Sequence, residues 1–390
     1  MAIDFQQIYT KIKEIGIGAR ERKETLEKRR AKARELLNTY SSELVMLISI
    51  VTAAKQIDPN IRCALPLNEP LASFYPLPPN SVEEATLIAA DGSQIFPDRH
   101  NQVQYYVINV GAIAMQIGSG KTPEIFTDTK LHFLDEFDDT YFSESQIALQ
   151  RDVAERKKLL EISEKFSGSI VALTEGQLEL WGATDNENRT EFEKSLQDYL
   201  DVLDALKQNG IITSGYVDKP GANWVTRLLE IASTPKDKLD SIKKHRPLLG
   251  VTDRWLFSQF LPAEARSAVF ALQAKSVETY TGSLAIHFFY LNVGDKNKPS
   301  IVRVDIPFWV ANDLNVLNTL HKMLIVQAKI LGHKPFPYLL HRAHEIAVVT
   351  HQEKYQIDQM LVAEIRNNNG ELDEISAKKS AKDLPGRTRR

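Results

Sequence analysis

Apolar positions near the start of the chain fall at Phe5, Ile8, Tyr9, Ile12 and Ile15. Spacings of three and four place them on one face of a helix. Gly16 and Gly18 interrupt that pattern, and the charged run ARERKETLEKRRAKARELLNTY follows, with positive charges in excess. It reads as a solvated helix face laced with i,i+4 ion pairs, or as a basic surface for a phosphate backbone or an acidic partner. Residues 1–57 are therefore expected to form an N-terminal helical arm. Pro59, Pro66, Pro70, Pro76, Pro78 and Pro79 then crowd one stretch. Proline at that density opposes both helix and central strand, so 58–84 reads as a structureless connector.

From residue 85 the pattern changes to short apolar runs alternating with amphipathic ones. Ala85–Ala90 predicts a buried strand stopped by a turn at Asp91-Gly92-Ser93. Gln102–Met115 is β-branched and aromatic and predicts one strand or two, and Ile125–Phe133 another. Ser143 can cap a helix over 143–166. Ser169–Leu173 predicts a second buried strand, ending at Thr174-Glu175-Gly176. A helix over 192–208, a strand over 211–217 and a helix over 223–232 follow. A hairpin is expected over 283–292 and 300–306, and helices over 313–331 and 339–350. Strands with helices between them predict an α/β core with a mixed central sheet flanked by helices. The polar end, 367–390, reads as a basic flexible tail.

Composition narrows the class. The chain has 390 residues, 43% hydrophobic and 25% charged, which is ordinary globular usage and excludes wholesale disorder. Cys63 is the single cysteine, so no disulfide framework and no cysteine-only zinc site can form. That usage fits a reducing compartment, and a cytoplasmic location is expected. No apolar run approaches the roughly 20 residues of a membrane helix. The opening MAIDFQQIYTKIKEIG has early charges and no apolar core, so a secretory signal is not expected. The net charge of −3 decides nothing about nucleic acid until its distribution is known.

The chemical signal is positional. Two apolar strands each end in an acid followed by glycine, at Asp91-Gly92 and Glu175-Gly176. Carboxylates on neighbouring strand ends are held rigidly and suit hard cations such as Mg²⁺ or Mn²⁺. The competing reading is a pair of ordinary acid-glycine turns. GSGKT at Gly118–Thr122 resembles the end of a phosphate loop, but Met115 stands where the opening glycine belongs. It reads as a hairpin turn. His341 and His344 lie three apart on an amphipathic helix, and His344 could bind metal or move a proton.

An ordered set of motifs carries a resemblance. AADGSQI at Ala89–Ile95 is followed by RDVAERKKLL at Arg151–Leu160 and VALTEGQLELW at Val171–Trp181. GYVDKPGANWVTRLL at Gly215–Leu229, GVTDRWLFSQFLPAEARSAVF at Gly250–Phe270 and PFPYLLHRAHEIAVVT at Pro335–Thr350 complete it. Over about 85–355 the chain resembles the NurA family of nucleases, which work with HerA-type hexameric helicase-translocases in DNA end processing. The resemblance implies an RNase H-like core in which carboxylates hold divalent metal, typically Mn²⁺ (or Mg²⁺). It implies 5′→3′ exonuclease and single-strand endonuclease activity on single-stranded DNA and duplex ends, in double-strand break repair, and a homodimer. The family's site residues fall on Asp91, Glu155, Glu175 and His344, with Asp152 and Glu161 as neighbouring acids on the same helix. Many relatives carry aspartate where Glu175 stands. Lys219 and Arg266 match positions able to contact phosphate. Asp253 matches an element expected to cap or bridge. Among the aromatic residues suited to stacking on bases, Trp224 is singled out. A non-catalytic DNA- or translocase-binding member of the same fold, and an unrelated metal hydrolase of small phosphoesters, are the alternatives.

Overall fold

The computed structural model describes residues 3–77, 84–133, 143–182, 189–368 and 372. Nearly all of the predicted tail lies outside them. In chain order the elements begin with helices α1 (Phe5–Ile17), α2 (Ala19–Tyr40) and α3 (Leu44–Ile57). Strands β1 (Cys63–Pro66), β2 (Phe74–Tyr75), β3 (Thr86–Ile95), β4 (Tyr105–Gln116) and β5 (Glu124–Phe133) come next. Helix α4 (Glu144–Ser163), β6 (Ile170–Glu175), α5 (Arg189–Gln208), β7 (Ile212–Val217), α6 (Trp224–Ala232) and α7 (Asp253–Ser258) follow. The last are β8 (Arg266–Ser267), β9 (Phe270–Gln273), β10 (Ile286–Asn292), β11 (Ile301–Pro307), α8 (Phe308–Ala311), α9 (Leu314–Ile330), α10 (Tyr338–Ala347) and α11 (His351–Asn367).

Contacts divide the chain into two compact units, neither of them one continuous stretch. One comprises Met1–Ser81, Gly176–Leu178 and Gly215–Ile325; the other comprises Val82–Glu175, Glu179–Ser214 and Val326–Arg390.

The second unit has the strand order β7-β6-β3-β4-β5. Three antiparallel strands, β3, β4 and β5, are followed by β6, which pairs parallel to β3 after α4. This is the mixed sheet expected for an RNase H-like core. The strand β3 does not stop at Asp91-Gly92-Ser93. It continues to Ile95, because Asp91 pairs with Gly111 and the ladder against β4 runs on to Ile95 and Val107. Ladder pairing across an apolar partner overrides the local turn preference. GSGKT lies in the β4–β5 hairpin, with Gly118 and Gly120 at positive φ. The N-terminus of α4 is held by a capping box: Ser143 Oγ accepts the Gln146 N–H and Gln146 Oε1 accepts the Ser143 N–H.

In the first unit the order is β1-β9-β10-β11, with the end of β7 beside β11. The proline-rich stretch holds two short strands rather than none. Pro66 is tolerated because β1 ends the order and Pro66 is its last residue. The helices α2 and α3 pack on α6, and α3 also packs on β1, burying Leu36, Leu37, Leu47 and Val51. Helix α1 leaves its apolar stripe exposed. Cys63 is fully buried in β1, and burial pushes its thiol up to about 12, so it is no nucleophile at neutral pH. Among the described residues no single helix is long and apolar enough to cross a membrane.

One buried histidine makes this unit acid-sensitive. His321 Nε2 donates to the Glu264 carbonyl at 2.7 Å, and burial lowers its pKa from 6.5 to about 4. Between those values the unfolded chain holds a proton that the folded chain refuses. Stability is therefore lost as pH falls from 6.5 through 4, by up to about 3 kcal/mol. Urea melts across that range are expected to show a weaker pH dependence in His321→Gln than in the parent chain.

Candidate active site

In the second unit β4 and β6 pair with β3, and α4 and α10 pack on it. Side chains on a strand alternate between its two faces. Asp91 and Ser93 make their bonds to α10: Asp91 Oδ2 accepts from His344 Nδ1 at 2.7 Å, and Ser93 Oγ donates to the Ala347 carbonyl. Gly92 and Gln94 meet α4 instead. A Cβ on Gly92 would lie 2.5 Å from Arg151 Cγ and 2.8 Å from Glu155 Oε1. The missing side chain is what lets α4 bring Arg151 and Glu155 against the strand.

The position of His344 is set from the sheet. Asn109 Nδ2 donates to the same Ala347 carbonyl at 2.7 Å, and Thr129 Oγ1 donates to Asn109 Oδ1 at 2.6 Å. Residues of β3, β4 and β5 thus anchor the C-terminal end of α10. Gly111 permits the approach, since a Cβ there would stand 2.7 Å from Ile346 C and 2.8 Å from Ala347 Cα. Both are backbone atoms that cannot rotate away. Gly111→Ala is expected to cost about 2–3 kcal/mol in urea unfolding, because overpacking forces the helix off the sheet.

On the α4 face the charges are concentrated. Arg151 Nη2 donates to Asp152 Oδ1 at 2.6 Å, Arg151 Nε lies 3.4 Å from Glu155 Oε1, and Arg151 Nη1 donates to Gln94 Oε1 at 2.9 Å. Burial raises the pKa of Glu155 well above the ordinary range, and the charges of Asp152 and Asp91 add to the rise. Burial also raises Asp152, with Arg151 opposing it and Asp91 reinforcing it. Asp91, Asp152 and Glu155 therefore form one electrostatic cluster, although their side chains reach β3 from both faces. Glu161, by contrast, pairs with Lys158 at 2.9 Å and is half exposed. Glu175 ends β6. The parallel register sets Ala90 beside Thr174, so Asp91 and Glu175 are the next residues of neighbouring strands. Its side chain is exposed.

The donor set is carboxylate oxygen with one imidazole, the chemistry that hard divalent cations take. A buried cluster of like charges also fits a cation, which would relieve what burial and repulsion now impose on Glu155. As the side chains stand, no three His, Cys, Asp or Glu groups converge to hold a metal ion among the described residues. Asp91 is engaged by His344, and the two acids of α4 by Arg151.

The DNA-contact expectations fare differently. Lys219 is exposed at positive φ, in the loop after β7. Trp224 is the first residue of α6, 8% exposed. Arg62 lies 4.9 Å and Arg303 4.0 Å from its ring centre, and its edge meets Phe288. The ring has no open face for a base. Arg266 is also buried, and both its terminal nitrogens donate to the Glu69 carboxylate, at 3.0 and 3.2 Å. Its charge is spent inside the fold rather than on phosphate.

The NurA domain model matches residues 85–349. The chain belongs to the NurA family. Among solved structures, the NurA nuclease from Sulfolobus solfataricus is similar with a TM-score of 0.52 and 13% identity, over 93% of this chain and 98% of that one. This likeness shows the fold. Human endonuclease V matches with a TM-score of 0.30 and 10% identity, over 67% of this chain and 82% of its own. Endonuclease V from Ciona intestinalis, solved with inosine-containing DNA, matches at 0.29 and 10%, over 80% and 97%. A search of curated proteins found no match. Within this NurA domain, Arg151 and Gln94 join the residues named from the sequence. The signal for Arg151 was the i,i+4 pair with Glu155 in RDVAE.

Proposed function

We propose that this chain is a divalent-metal-dependent DNA nuclease. The observation that carries the reading is the carboxylate cluster of Asp91, Asp152 and Glu155, with Glu175 on the adjacent strand, inside a NurA domain. Asp91, Glu155 and Glu175, with Asp152, would hold the cation. The chemistry that such a cation supplies when bound is neutralisation of phosphate charge and a lowered pKa for water. His344 Nδ1 donates to Asp91, which leaves Nε2 as the nitrogen for proton transfer. The ring is 59% exposed, open to an attacking water or a leaving oxygen. Arg151 neutralises the α4 acids in the metal-free chain and is placed to turn toward a phosphate. Lys219 is the proposed point-charge contact to the DNA backbone.

The finer reading is two-metal-ion hydrolysis with Mn²⁺ (or Mg²⁺), as 5′→3′ exonuclease and single-strand endonuclease in DNA end resection. A homodimer and a HerA-type translocase partner belong to the same proposal. The exposed stripe of α1 supports such a contact, because an amphipathic helix gains by covering its apolar face. The non-catalytic alternative draws on the exposure of Glu175 and on the lack of three converged metal-holding groups among the described residues. Incubation of single-stranded oligonucleotide with Mn²⁺ or Mg²⁺ separates the two. Cleavage that stops on adding EDTA supports the nuclease, and intact DNA with either ion supports the binding module.

A further inference from the structure

A cavity of about 700 Å³ opens where β3 runs out, in the second unit. Its volume lies within the range of small-ligand sites. Gln94 is part of its wall and also accepts from Arg151, so the cavity begins where the carboxylate cluster ends. Three residues of strand, about 10 Å, separate Gln94 from Asp91.

The lining has two characters. Phe96, with Ile95, Pro97 and Val349, makes an apolar wall. Arg99, His100, His351 and Lys354 supply nitrogen donors. Two carboxylates stand against them. Asp98 already accepts the His100 N–H at 3.0 Å, and Glu144 sits in the first turn of α4. An aromatic surface beside clustered cations is what a nucleotide needs, a face for the base and charges for the phosphate. The acids around Asp91 repel such a phosphate, whereas Arg99 and Lys354 would attract it.

We propose that this cavity is a subsite for single-stranded DNA, holding the nucleotide next to the one that is cut. Its base packs on Phe96 and its phosphate lies between Arg99 and Lys354. This assignment rests on the nuclease reading, but its test does not require cleavage.

Binding of fluorescein-labelled oligo(dT) by anisotropy in EDTA, across a salt series, decides it. The variant carrying Arg99→Gln and Lys354→Gln is expected to bind about tenfold more weakly, with the log–log salt slope shallower by about 0.7, the value for one phosphate no longer neutralised on a single strand. Phe96→Leu is expected to weaken binding several-fold and leave the slope alone. A purely structural role would not move the slope. Affinity within twofold of the parent and an unchanged slope in the double variant would overturn the subsite. A chain that binds through these residues yet cuts nothing in Mn²⁺ would keep the subsite and lose the nuclease.

Discussion

Replacing Asp91 by asparagine is expected to lower Mn²⁺-dependent cleavage of single-stranded DNA by roughly a thousandfold, with the fold intact. The side chain makes one hydrogen bond, to an exposed histidine, so little structure depends on it. Its charge, however, raises the pKa of both Asp152 and Glu155. Without it the metal-free chain is relieved of repulsion, and its melting temperature should stay level or rise. The parent chain should gain thermal stability on addition of Mn²⁺, since anything that binds only the folded state stabilises it. Asp91→Asn should lose most of that gain. A site whose carboxylate destabilises the empty protein is the usual trade between function and stability. Cleavage within a few-fold of the parent would remove Asp91 from the chemistry.

Asp253→Ala is expected to cost about 3–5 kcal/mol in urea unfolding, for a different reason. Asp253 is completely buried. Its Oδ1 accepts from the Thr226 N–H and Thr226 Oγ1, each at 2.8 Å. Its Oδ2 accepts from the Val225 N–H at 2.9 Å and from the Tyr290 hydroxyl at 2.8 Å. The helix α6 therefore receives its N-terminal cap from a residue 27 positions further along the chain. Removing the carboxylate strands four donors in the core. Asp253→Asn should fall between parent and alanine, because one amide oxygen replaces two acceptor oxygens and the amide nitrogen faces other donors. Equal unfolding midpoints for Asp253→Ala and the parent would contradict this account.

The elements legible in the sequence were those with a strong period or a local cap. Ser143 announced α4, and the apolar runs announced β3 and β6. The ends were less legible. Asp91-Gly92 reads as a turn, yet the partner strand β4 supplies residues to pair with it as far as Ile95. The helix α11 was missed because only Ile357 and Leu361 among its apolar residues pack against the core of Ile95, Tyr105 and Val107. Its capping box at Thr350 and Glu353 was a visible signal nonetheless. The strands β8 and β9 are too short to show a period of two.

At the candidate site, charge type and strand-end position pointed to Asp91 and Glu175, and the family resemblance pointed to Glu155. Sequence could not show that His344 reaches Asp91 across 253 residues, because only the packing of α10 at Gly111 creates that contact. Nor could it separate a surface arginine or tryptophan from a buried one. Arg266 and Trp224 both have matching identities, and both are enclosed by partners that lie far away in the chain. The capping role expected for Asp253 is the converse case: the motif named the residue, and the fold supplied the helix that it caps.

The most direct measurement is anomalous diffraction from crystals soaked in Mn²⁺. The account predicts ion density at β3 with Asp91 and at least one of Glu155 and Asp152 within about 2.0–2.3 Å of it, Glu175 alongside, and Arg151 moved off the α4 acids. Manganese bound without Asp91, or carboxylates that stay on opposite faces of β3 with no ion between them, would contradict it.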